Sequence, residues 1–299
     1  MCVMDNKTIA VVGYGTIGES FAQLFAEQGY KVKVSDVRDD LQTLIDATNE
    51  RLSADAIKIE RADSVEGAVE GAFLVQENGP EKLDFKQDMA RRILEANPEA
   101  ILASSSSALL PSDIARDLPD ELAANVLIAH PFNPPRILPL IELVPGDRTS
   151  DETMSTAREF YDAIGKVPVT LNREIEGYIA NRFQKRILDE AVYLLSEGIA
   201  SAEDIDKAMK NSLGIRWSVV GPLEAVNQTT PQGFAATVKF IKPSFDMIKD
   251  VPSPDYDGDE TQRAAEKVAE AYGQTASQES KDQRDLYLQR VAEALEGRK

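Results

Sequence analysis

Cysteine and histidine are scarce in this chain of 299 residues, which contains one of each, Cys2 and His130. A single cysteine excludes an internal disulfide framework and a thiolate metal cluster, and we expect no metal site. The amino-terminal residues also lack the pattern of a secretory signal peptide, so these features together predict a cytoplasmic protein. Any acid–base chemistry that needs an imidazole must use His130.

Long apolar runs and an excess of positive charge are lacking as well. No apolar stretch approaches the roughly 20 residues that a membrane-spanning helix needs. The 33 lysines and arginines are outnumbered by 51 aspartates and glutamates, which gives a net charge of −18. Such a surface repels polyanions, so nucleic acid and anionic membranes are poor partners, and an anionic ligand must be held by local dipoles. With 42% hydrophobic residues, the composition is that of a globular protein with a core.

The first half of the chain alternates short β-branched runs with helical patterns. This alternation predicts a mostly parallel sheet covered by helices. Between the first two runs, apolar residues at helical spacing and a following Gly29 predict one helix, and hence a strand–helix–strand unit. The predicted strands are Thr8 to Val12, Lys31 to Ser35, Ala72 to Val75, Ala100 to Ala103, Val126 to Ala129, Leu140 to Val144 and Pro168 to Leu171, with a shorter extended piece at Ile57 to Ile59.

The second half, from about Glu174 onward, shows helical patterns only. Its longest predicted helix, Glu176 to Ser196, has an apolar stripe that we expect to be buried: Ile179, Phe183, Ile187, Ala191 and Leu194. Ser201 is expected to cap the next helix, and Val251 to Asp259 to form an exposed loop. Further helices are predicted at Pro222 to Asn227, Phe234 to Lys249, Glu260 to Tyr272 and Lys281 to Glu296. The sequence therefore predicts an α/β domain over residues 1–173 and an all-α domain over residues 174–299.

A glycine-rich segment follows the first predicted strand and opens the first predicted helix. Its residues are Gly13, Tyr14, Gly15, Thr16, Ile17 and Gly18. Gly13 permits a tight turn, Gly15 lets the backbone approach a diphosphate, and Gly18 lets helix and strand pack closely. The positive end of the helix would then face the diphosphate. In this context the segment predicts a Rossmann-type dinucleotide-binding domain.

Asp36 comes directly after the second predicted strand and indicates which dinucleotide binds. A carboxylate at this position can accept hydrogen bonds from both ribose hydroxyls of NAD, and it would repel the 2′-phosphate of NADP. Arg38 is a mild signal in the opposite direction, because a nearby arginine is how NADP is accommodated. We therefore expect NAD as the cofactor.

His130 and Glu142 form the candidate acid–base pair. His130 lies just past the carboxyl end of a predicted strand, which is the edge where ligands bind in open α/β sheets. Glu142 lies in an apolar run, where a carboxylate needs a partner, and bonding to one ring nitrogen would fix the tautomer of the imidazole. A lone histidine can also be a satisfied core residue and Glu142 can be exposed at an edge, so the spacing alone leaves the pair open.

A run of four serines, Ser104 to Ser107, follows another predicted strand toward the same edge. Hydroxyl groups there can bind a substrate oxygen or a cofactor, or they can simply form a turn before the helix that starts at Pro111. Taken singly, Glu81, Lys86 and Asn133 would be ordinary surface residues.

The combination of these motifs resembles the 3-hydroxyacyl-CoA dehydrogenase family of NAD-dependent enzymes. The resemblance covers nearly the whole chain and includes the run from His130 to Pro134 and the segment from Gly177 to Arg182. It implies that His130 abstracts the hydroxyl proton while a hydride passes to NAD, and that Glu142 orients His130. It further implies a homodimer, contacts to the substrate oxygen from Ser107 and Asn181, and contacts to NAD from Glu81, Lys86 and Asn133.

Within the family, the resemblance is closest to the lambda-crystallin and L-gulonate 3-dehydrogenase branch, with L-carnitine dehydrogenase nearby. The segment between Asp36 and Ala72 has room for one helix, a short extended piece and one more turn. The helical hairpin that binds CoA in the acyl-CoA enzymes is therefore expected to be truncated. Arg216 lies where those enzymes typically have no arginine, and it can either bind a substrate carboxylate through two hydrogen bonds or pack on Trp217 at the surface.

These features predict NAD-dependent oxidation of the 3-hydroxyl of a small free hydroxy acid, with L-gulonate-like sugar acids as the first candidates. The first alternative is a 3-hydroxyacyl-CoA dehydrogenase or an enzyme similar to L-carnitine dehydrogenase. The second is a structural protein that binds a dinucleotide, as lambda-crystallin-like members do. The complete set of Ser107, His130, Glu142 and Asn181 argues against a purely structural role, which has no physical need for it.

Overall fold

A computed structural model of the chain describes residues 7–250 and 252–295. Cys2, the first residue of the expected loop at Val251, and the last residue of the expected helix at Glu296 lie outside the described residues. The chain forms two compact units that divide after Asn181. The domain boundary at residues 173 and 174 stays a prediction.

The first unit is built on one sheet of eight strands. The strands are β1 (Thr8–Val12), β2 (Lys31–Ser35), β3 (Glu60–Arg61), β4 (Ala72–Glu77), β5 (Ile101–Ser104), β6 (Val126–Pro131), β7 (Leu140–Pro145) and β8 (Val167–Thr170). The expected strands are confirmed with small shifts at their ends. The extended piece expected at Ile57 to Ile59 is followed directly by β3, whose pairing with β2 begins at Glu60.

The strand order in the sheet is β3-β2-β1-β4-β5-β6-β7-β8. The chain therefore builds outward in one direction from β1 and then returns to build outward from β4, which makes β1 and β4 the switch point of the fold. All neighbouring pairs are parallel except β6 and β7, which are antiparallel. The mostly parallel Rossmann-type sheet is thus confirmed.

Side chains of β1 alternate between two hydrophobic clusters on opposite faces of the sheet. Ile9 and Val11 belong to one cluster, and Ala10 and Val12 belong to the other. A strand that is buried on both faces must be apolar throughout, which is why this segment lacks the alternation of polar residues seen in half-exposed strands. Helices cover the sheet: α1 (Thr16–Glu27), α2 (Leu41–Arg51), α3 (Val65–Val69), α4 (Leu83–Ala96), α5 (Pro111–Ile114), α6 (Asp120–Ala123) and α7 (Asp151–Ala163).

The second unit is helical, as expected. Its helices are α8 (Ala180–Ser196), α9 (Ala202–Lys210), α10 (Leu213–Trp217), α11 (Pro222–Asn227), α12 (Phe234–Phe245), α13 (Asp259–Tyr272) and α14 (Gln278–Ala294). Helix α8 begins four residues later than predicted from Glu176, because Gly177 and Tyr178 have φ of +71° and +52°, outside the helical region. Ser201 caps α9 by accepting a hydrogen bond from the backbone N–H of Asp204. None of the helices in the described ranges is long and apolar enough to cross a membrane.

The apolar stripe predicted to be buried on the long helix is largely exposed, so that prediction is wrong. Ile179, Phe183 and Ile187 are 41%, 57% and 37% exposed. The face of α8 that packs within the chain instead contains Val192 and Leu195, which form a small cluster with Ala202 and Ala264. Helical spacing identifies an apolar face but does not say what covers it.

Asp189 lies on the buried face of α8 and ties a later loop to this helix. Burial alone would raise the pKa of its carboxyl group, but hydrogen bonds from Lys185, Tyr256 and Ser253 together lower the pKa to about 2. The Tyr256 hydroxyl donates to one oxygen at 2.5 Å and the Ser253 hydroxyl donates to the other at 2.8 Å. The ionised carboxylate therefore fixes the segment around residues 253–256 against α8.

Candidate active site

The glycine-rich turn lies after β1 at the switch point of the sheet. Its first residue, Gly13, donates its N–H to the Ser35 carbonyl at 2.8 Å and has a φ of +89°. A Cβ on Gly13 would lie 2.9 Å from the carbonyl carbon of Asn78, and a Cβ on Gly18 would lie 1.9 Å from the Gly13 oxygen. Both positions therefore exclude a side chain, as the fingerprint predicts.

Gly15 precedes α1 and differs from its two neighbours in the motif. A Cβ on Gly15 would meet no atom within 4 Å, so the space above the turn is open to a ligand. Thr16 and Ile17 begin α1, whose N-cap residue is this glycine and supplies no side-chain hydrogen bond to the helix. An open space at an uncapped helix N-terminus fits the diphosphate of a dinucleotide. The residues present therefore fit NAD.

Asp36 lies directly behind this turn, at the end of β2. One carboxylate oxygen accepts the backbone N–H of Tyr14 at 2.6 Å, and the other accepts the N–H of Arg38 at 3.0 Å. The guanidinium of Arg38 is held by both oxygens of Asp40, at 2.5 and 3.0 Å. The arginine that gave a signal for NADP is thus already engaged by a carboxylate.

Lys86 is buried under the turn that follows β4. Its ammonium donates to the Glu77 carboxylate at 2.8 Å and to the Gly79 carbonyl at 3.1 Å, and both charged side chains are almost fully buried. The Ser104 hydroxyl donates to the same oxygen of Glu77 at 2.7 Å. This buried ion pair fixes the 77–79 turn, which packs directly against Gly13.

Glu81 holds the serine run in place. Its Oε1 accepts hydrogen bonds from the Ser106 hydroxyl at 2.6 Å and from the backbone N–H groups of Ser107 at 3.0 Å and Ala108 at 3.0 Å. The Asn181 side-chain amide donates to the Ser107 carbonyl at 3.2 Å. The structure therefore places Ser107 and Asn181 side by side, with Glu81 beneath the loop.

His130 and Glu142 are in direct contact. They are register partners across β6 and β7, and the distance between His130 Nδ1 and Glu142 Oε2 is 2.8 Å. The other carboxylate oxygen accepts the backbone N–H groups of Ile179 at 2.9 Å and Ala180 at 3.0 Å. Both residues are at most 4% exposed, so the pair is shielded from bulk water.

Tyr178 connects the histidine to the serine run, a role that the sequence did not predict. Its ring lies 5.2 Å from the His130 ring, and its hydroxyl donates to the Leu109 carbonyl at 2.8 Å. Burial raises the pKa of this hydroxyl, so it stays a hydrogen-bond donor. Its left-handed backbone directs the next two N–H groups toward Glu142. The only signal in the sequence was the preceding glycine, which often marks a change of backbone direction.

Two of the predicted site residues, Asn133 and Arg216, are exposed to solvent. Asn133 is exposed in the loop after β6, and the bond between Asn133 and Pro134 is cis. Arg216 is an exposed residue of α10 and belongs to the helical unit. Within residues 7–250 and 252–295, no cluster of three or more potential metal ligands is present.

Comparison with known proteins identifies the family of this chain. Residues 8–175 match the family described as 3-hydroxyacyl-CoA dehydrogenase, NAD binding domain, and residues 177–252 match the C-terminal domain of the same family. The chain belongs to the 3-hydroxyacyl-CoA dehydrogenase family. It is accordingly an NAD-dependent dehydrogenase, and the expected family, enzyme class and cofactor are confirmed.

The relatives of this dehydrogenase include both enzymes that are named for different substrates and lambda-crystallin homologs. A 3-hydroxyacyl-CoA dehydrogenase of Gibberella moniliformis is 34% identical, with 95% of this chain and 93% of the relative covered. A lambda-crystallin homolog of Rattus norvegicus is 32% identical, with 85% of each chain covered, and L-carnitine dehydrogenases match at a similar level. Among solved structures, an NAD+-dependent 5-formyl-3-hydroxy-2-methylpyridine 4-carboxylic acid 5-dehydrogenase superimposes with a TM-score of 0.81 at 25% identity, covering 98% of this chain and 99% of that one.

Proposed function

We propose that this dehydrogenase oxidises the 3-hydroxyl group of a small free hydroxy acid, with L-gulonate-like acids as the first candidates. The observation that supports this most strongly is the buried hydrogen bond between His130 Nδ1 and Glu142. Tyr178 contacts both the His130 ring and the loop that contains Ser107, so the histidine lies close to this loop. Because Glu142 engages Nδ1, Nε2 is the nitrogen that can accept a proton.

In this proposal His130 is the general base. It takes the proton of the substrate hydroxyl on Nε2, and Glu142 stabilises the resulting imidazolium and keeps the ring in the productive tautomer. Ser107 and Asn181 hold the oxygen that becomes a carbonyl. Bound NAD would supply the hydride acceptor, so the products are a keto acid, NADH and one proton.

NAD would be bound by the glycine-rich turn and by residues around it. Gly13, Gly15 and Gly18 shape the turn, while Tyr14, Thr16 and Ile17 provide its backbone and the start of α1. Asp36 would accept hydrogen bonds from the ribose hydroxyls. Glu81, Lys86 and Asn133 are proposed as further cofactor residues, of which Lys86 acts on the 77–79 turn because its ammonium is buried there.

The free-acid assignment depends on Arg216 and on the short segment after β2. Only α2, β3 and α3 lie between β2 and β4, which leaves no long helical hairpin for CoA. In a protein with a net charge of −18, a substrate carboxylate needs a dedicated cation, and we assign that role to Arg216. L-Carnitine dehydrogenase and the pyridine carboxylic acid dehydrogenase, by their names, act on small molecules that carry a carboxylate.

Oxidation of a 3-hydroxyacyl-CoA is the second candidate. It is favoured by the relative from Gibberella moniliformis, which has that name and matches over 95% of this chain. The two candidates differ in where the binding energy comes from, since a thioester has no free carboxylate at the position that Arg216 would bind.

A homodimer formed through the helical unit belongs to the same proposal. Large apolar side chains are exposed on several of its helices, including Phe183 at 57%, Leu223 at 71% and Phe240 at 74%. Exposed large apolar side chains are the kind of surface that protein interfaces bury. Sedimentation of the purified chain would test the dimer.

We also propose a cytoplasmic location, on the basis of the single cysteine.

Initial rates of NADH formation from a substrate panel test the proposed function. The panel contains L-gulonate, L-carnitine, L-3-hydroxybutyrate and 3-hydroxybutyryl-CoA, each assayed over a range of concentrations. We expect the highest kcat/KM for a free acid. A higher kcat/KM for 3-hydroxybutyryl-CoA than for every free acid would replace the proposal with the second candidate.

A further inference from the structure

Lys166 is a buried cation that the proposed chemistry does not use. It lies between α7 and β8 and is 3% exposed. Its Nζ donates to the Pro135 carbonyl at 2.7 Å and to the Leu138 carbonyl at 2.6 Å. Both acceptors belong to residues 132–139, the segment that connects β6 to β7, which we call the His130 loop because it follows His130.

The composition of the His130 loop explains why it needs a donor from outside. Pro134, Pro135 and Pro139 have no N–H group, so the loop contains few donors for its own carbonyls. The N–H groups of Ile137 and Leu138 both donate to the Pro134 carbonyl, which closes a single turn. The carbonyls of Pro135 and Leu138 are satisfied by the lysine, and a buried carbonyl without a donor is costly.

The His130 loop connects the proposed base to the cofactor helix. At its start, the Phe132 ring packs edge-on against the His130 ring with 5.7 Å between the centroids. In its middle, the Arg136 N–H donates to the Ser20 hydroxyl on α1 at 3.0 Å. At its end, the Pro139 carbonyl accepts the N–H of Val167 at 2.8 Å. A change in the shape of this loop would therefore reach both His130 and α1.

We propose that Lys166 is a positioning residue, whose two hydrogen bonds hold the His130 loop in the conformation that packs Phe132 on His130 and rests Arg136 on α1. This role rests on the proposed function only where it concerns His130 as the base. The part that concerns α1 and NAD follows from the family and the glycine-rich turn.

The electrostatics of Lys166 agree with such a role. Burial lowers the pKa of its ammonium to about 8, so the group is largely charged at neutral pH. A buried charge is expensive unless it is well hydrogen-bonded, and here its donors meet main-chain oxygens of one loop. A methionine would fill the same space without the electrostatic cost, but it would leave the two carbonyls without a donor.

The test compares Lys166→Met with Lys166→Arg, which retains the charge and the donors. The first readout is the Kd of NADH, measured by fluorescence titration, and the second is amide hydrogen exchange over residues 132–139, followed by mass spectrometry. For Lys166→Met we expect the Kd of NADH to rise about 5- to 50-fold, the range expected for losing hydrogen bonds to a charged group, and exchange in the loop to accelerate. Lys166→Arg should restore a substantial part of both effects.

Ile93→Ala is the matched control, because Ile93 is fully buried in α4 and its truncation lowers stability without touching the His130 loop. If Lys166→Met changes the Kd of NADH and the loop exchange no more than Ile93→Ala does, Lys166 is merely structural and the proposal is wrong. Should Lys166→Met fail to fold, Lys166→Gln takes its place in both measurements, and changes no larger than those of Ile93→Ala would likewise contradict the proposal.

These readouts do not depend on the hydroxy acid. A wild-type chain that binds NADH but oxidises no member of the substrate panel would contradict the proposed function and leave the role of Lys166 testable by the same titration.

Discussion

His130 and Glu142 are paired directly across the antiparallel strands β6 and β7, with 2.8 Å between Nδ1 and Oε2. The antiparallel pairing of β6 and β7 brings them together, because residues on antiparallel strands lie directly opposite each other. The carboxylate is held from its other side by the N–H groups of Ile179 and Ala180. Glu142 thus has a fixed orientation, and it transmits that orientation to the imidazole.

The first prediction is that Glu142→Gln lowers kcat about 100-fold or more, which is the usual range for the loss of acid–base function. The amide oxygen can accept either from the N–H groups of residues 179 and 180 or from Nδ1–H, but not from both sides. If it accepts from the backbone, the amide NH₂ donates to Nδ1, and the ring proton moves to Nε2. The base is then blocked.

Steady-state kinetics with the preferred acid would measure this effect, and Glu159→Gln on the exposed face of α7 is the control. If the kcat of Glu142→Gln stays close to the control value, Glu142 does not assist His130 in catalysis.

The second prediction concerns the choice of dinucleotide. Asp36 should favour NAD over NADP by more than about tenfold in kcat/KM, because a charged hydrogen bond contributes roughly 1.5–3 kcal/mol and would be replaced by repulsion of a phosphate. Asp36→Ser should narrow the ratio, whereas Asp39→Asn, in the neighbouring exposed position, should leave it unchanged. Equal efficiencies of the wild type with both cofactors would refute the assignment of Asp36.

The third prediction concerns the substrate carboxylate. Arg216→Met should raise the KM for the preferred acid about 10- to 100-fold, from roughly 1.5–3 kcal/mol for a hydrogen bond to a charged group. Arg216→Lys should be intermediate, since lysine retains the charge and loses the planar fork. Activity on 3-hydroxybutyryl-CoA should be low and nearly unchanged.

Arg263→Met, which removes an exposed arginine of α13, is the control for a general loss of positive charge. An unaltered KM in Arg216→Met would end the carboxylate assignment for this residue.

The fourth prediction is a pH dependence of stability that originates from Lys166. Burial lowers its pKa from 10.5 to about 8 in the folded chain. Between these values the unfolded chain binds more protons, so the free energy of unfolding gains from Lys166 as the pH rises. The wild type should gain about 1–2 kcal/mol relative to Lys166→Met between roughly pH 7 and pH 9.5.

Denaturant titrations of both proteins at the two pH values would measure this difference. A constant difference would mean that Lys166 titrates as it does in the unfolded chain. The neutral amine still has two N–H donors for Pro135 and Leu138, so we expect the His130 loop to persist above pH 8.

Much of the sheet could be predicted from the sequence, because β-branched runs bounded by turn residues mark buried strands. The direction of β7 could not be taken from its composition, since parallel and antiparallel strands here are equally apolar. One signal was present in the length of the connection: residues 132–139 are too few for the crossover that a parallel strand requires. Tertiary packing also decided which face of α8 is buried, at Val192 rather than Phe183.

The sequence predicted the residues of the site better than it predicted the contacts between them. His130 and the glycine-rich turn were found because each has a recognisable position at a strand end, and Glu142 was found because a carboxylate in an apolar run needs a partner. The contacts of Tyr178 and Lys166 depend on a left-handed backbone and on a proline-rich loop that folds back on β8, and neither leaves a periodic pattern. Long-range contacts of this kind become visible only when the chain is folded.

The most direct test of the whole account is His130→Asn, assayed for turnover and for NADH binding in the same preparation. The base and the glycine-rich turn are separate parts of the site, so kcat should fall about 100- to 10,000-fold. The Kd of NADH should stay within about threefold of the wild type, since His130 contributes mainly to the transition state. If the variant retains more than about a tenth of wild-type turnover at neutral pH, His130 is not the base.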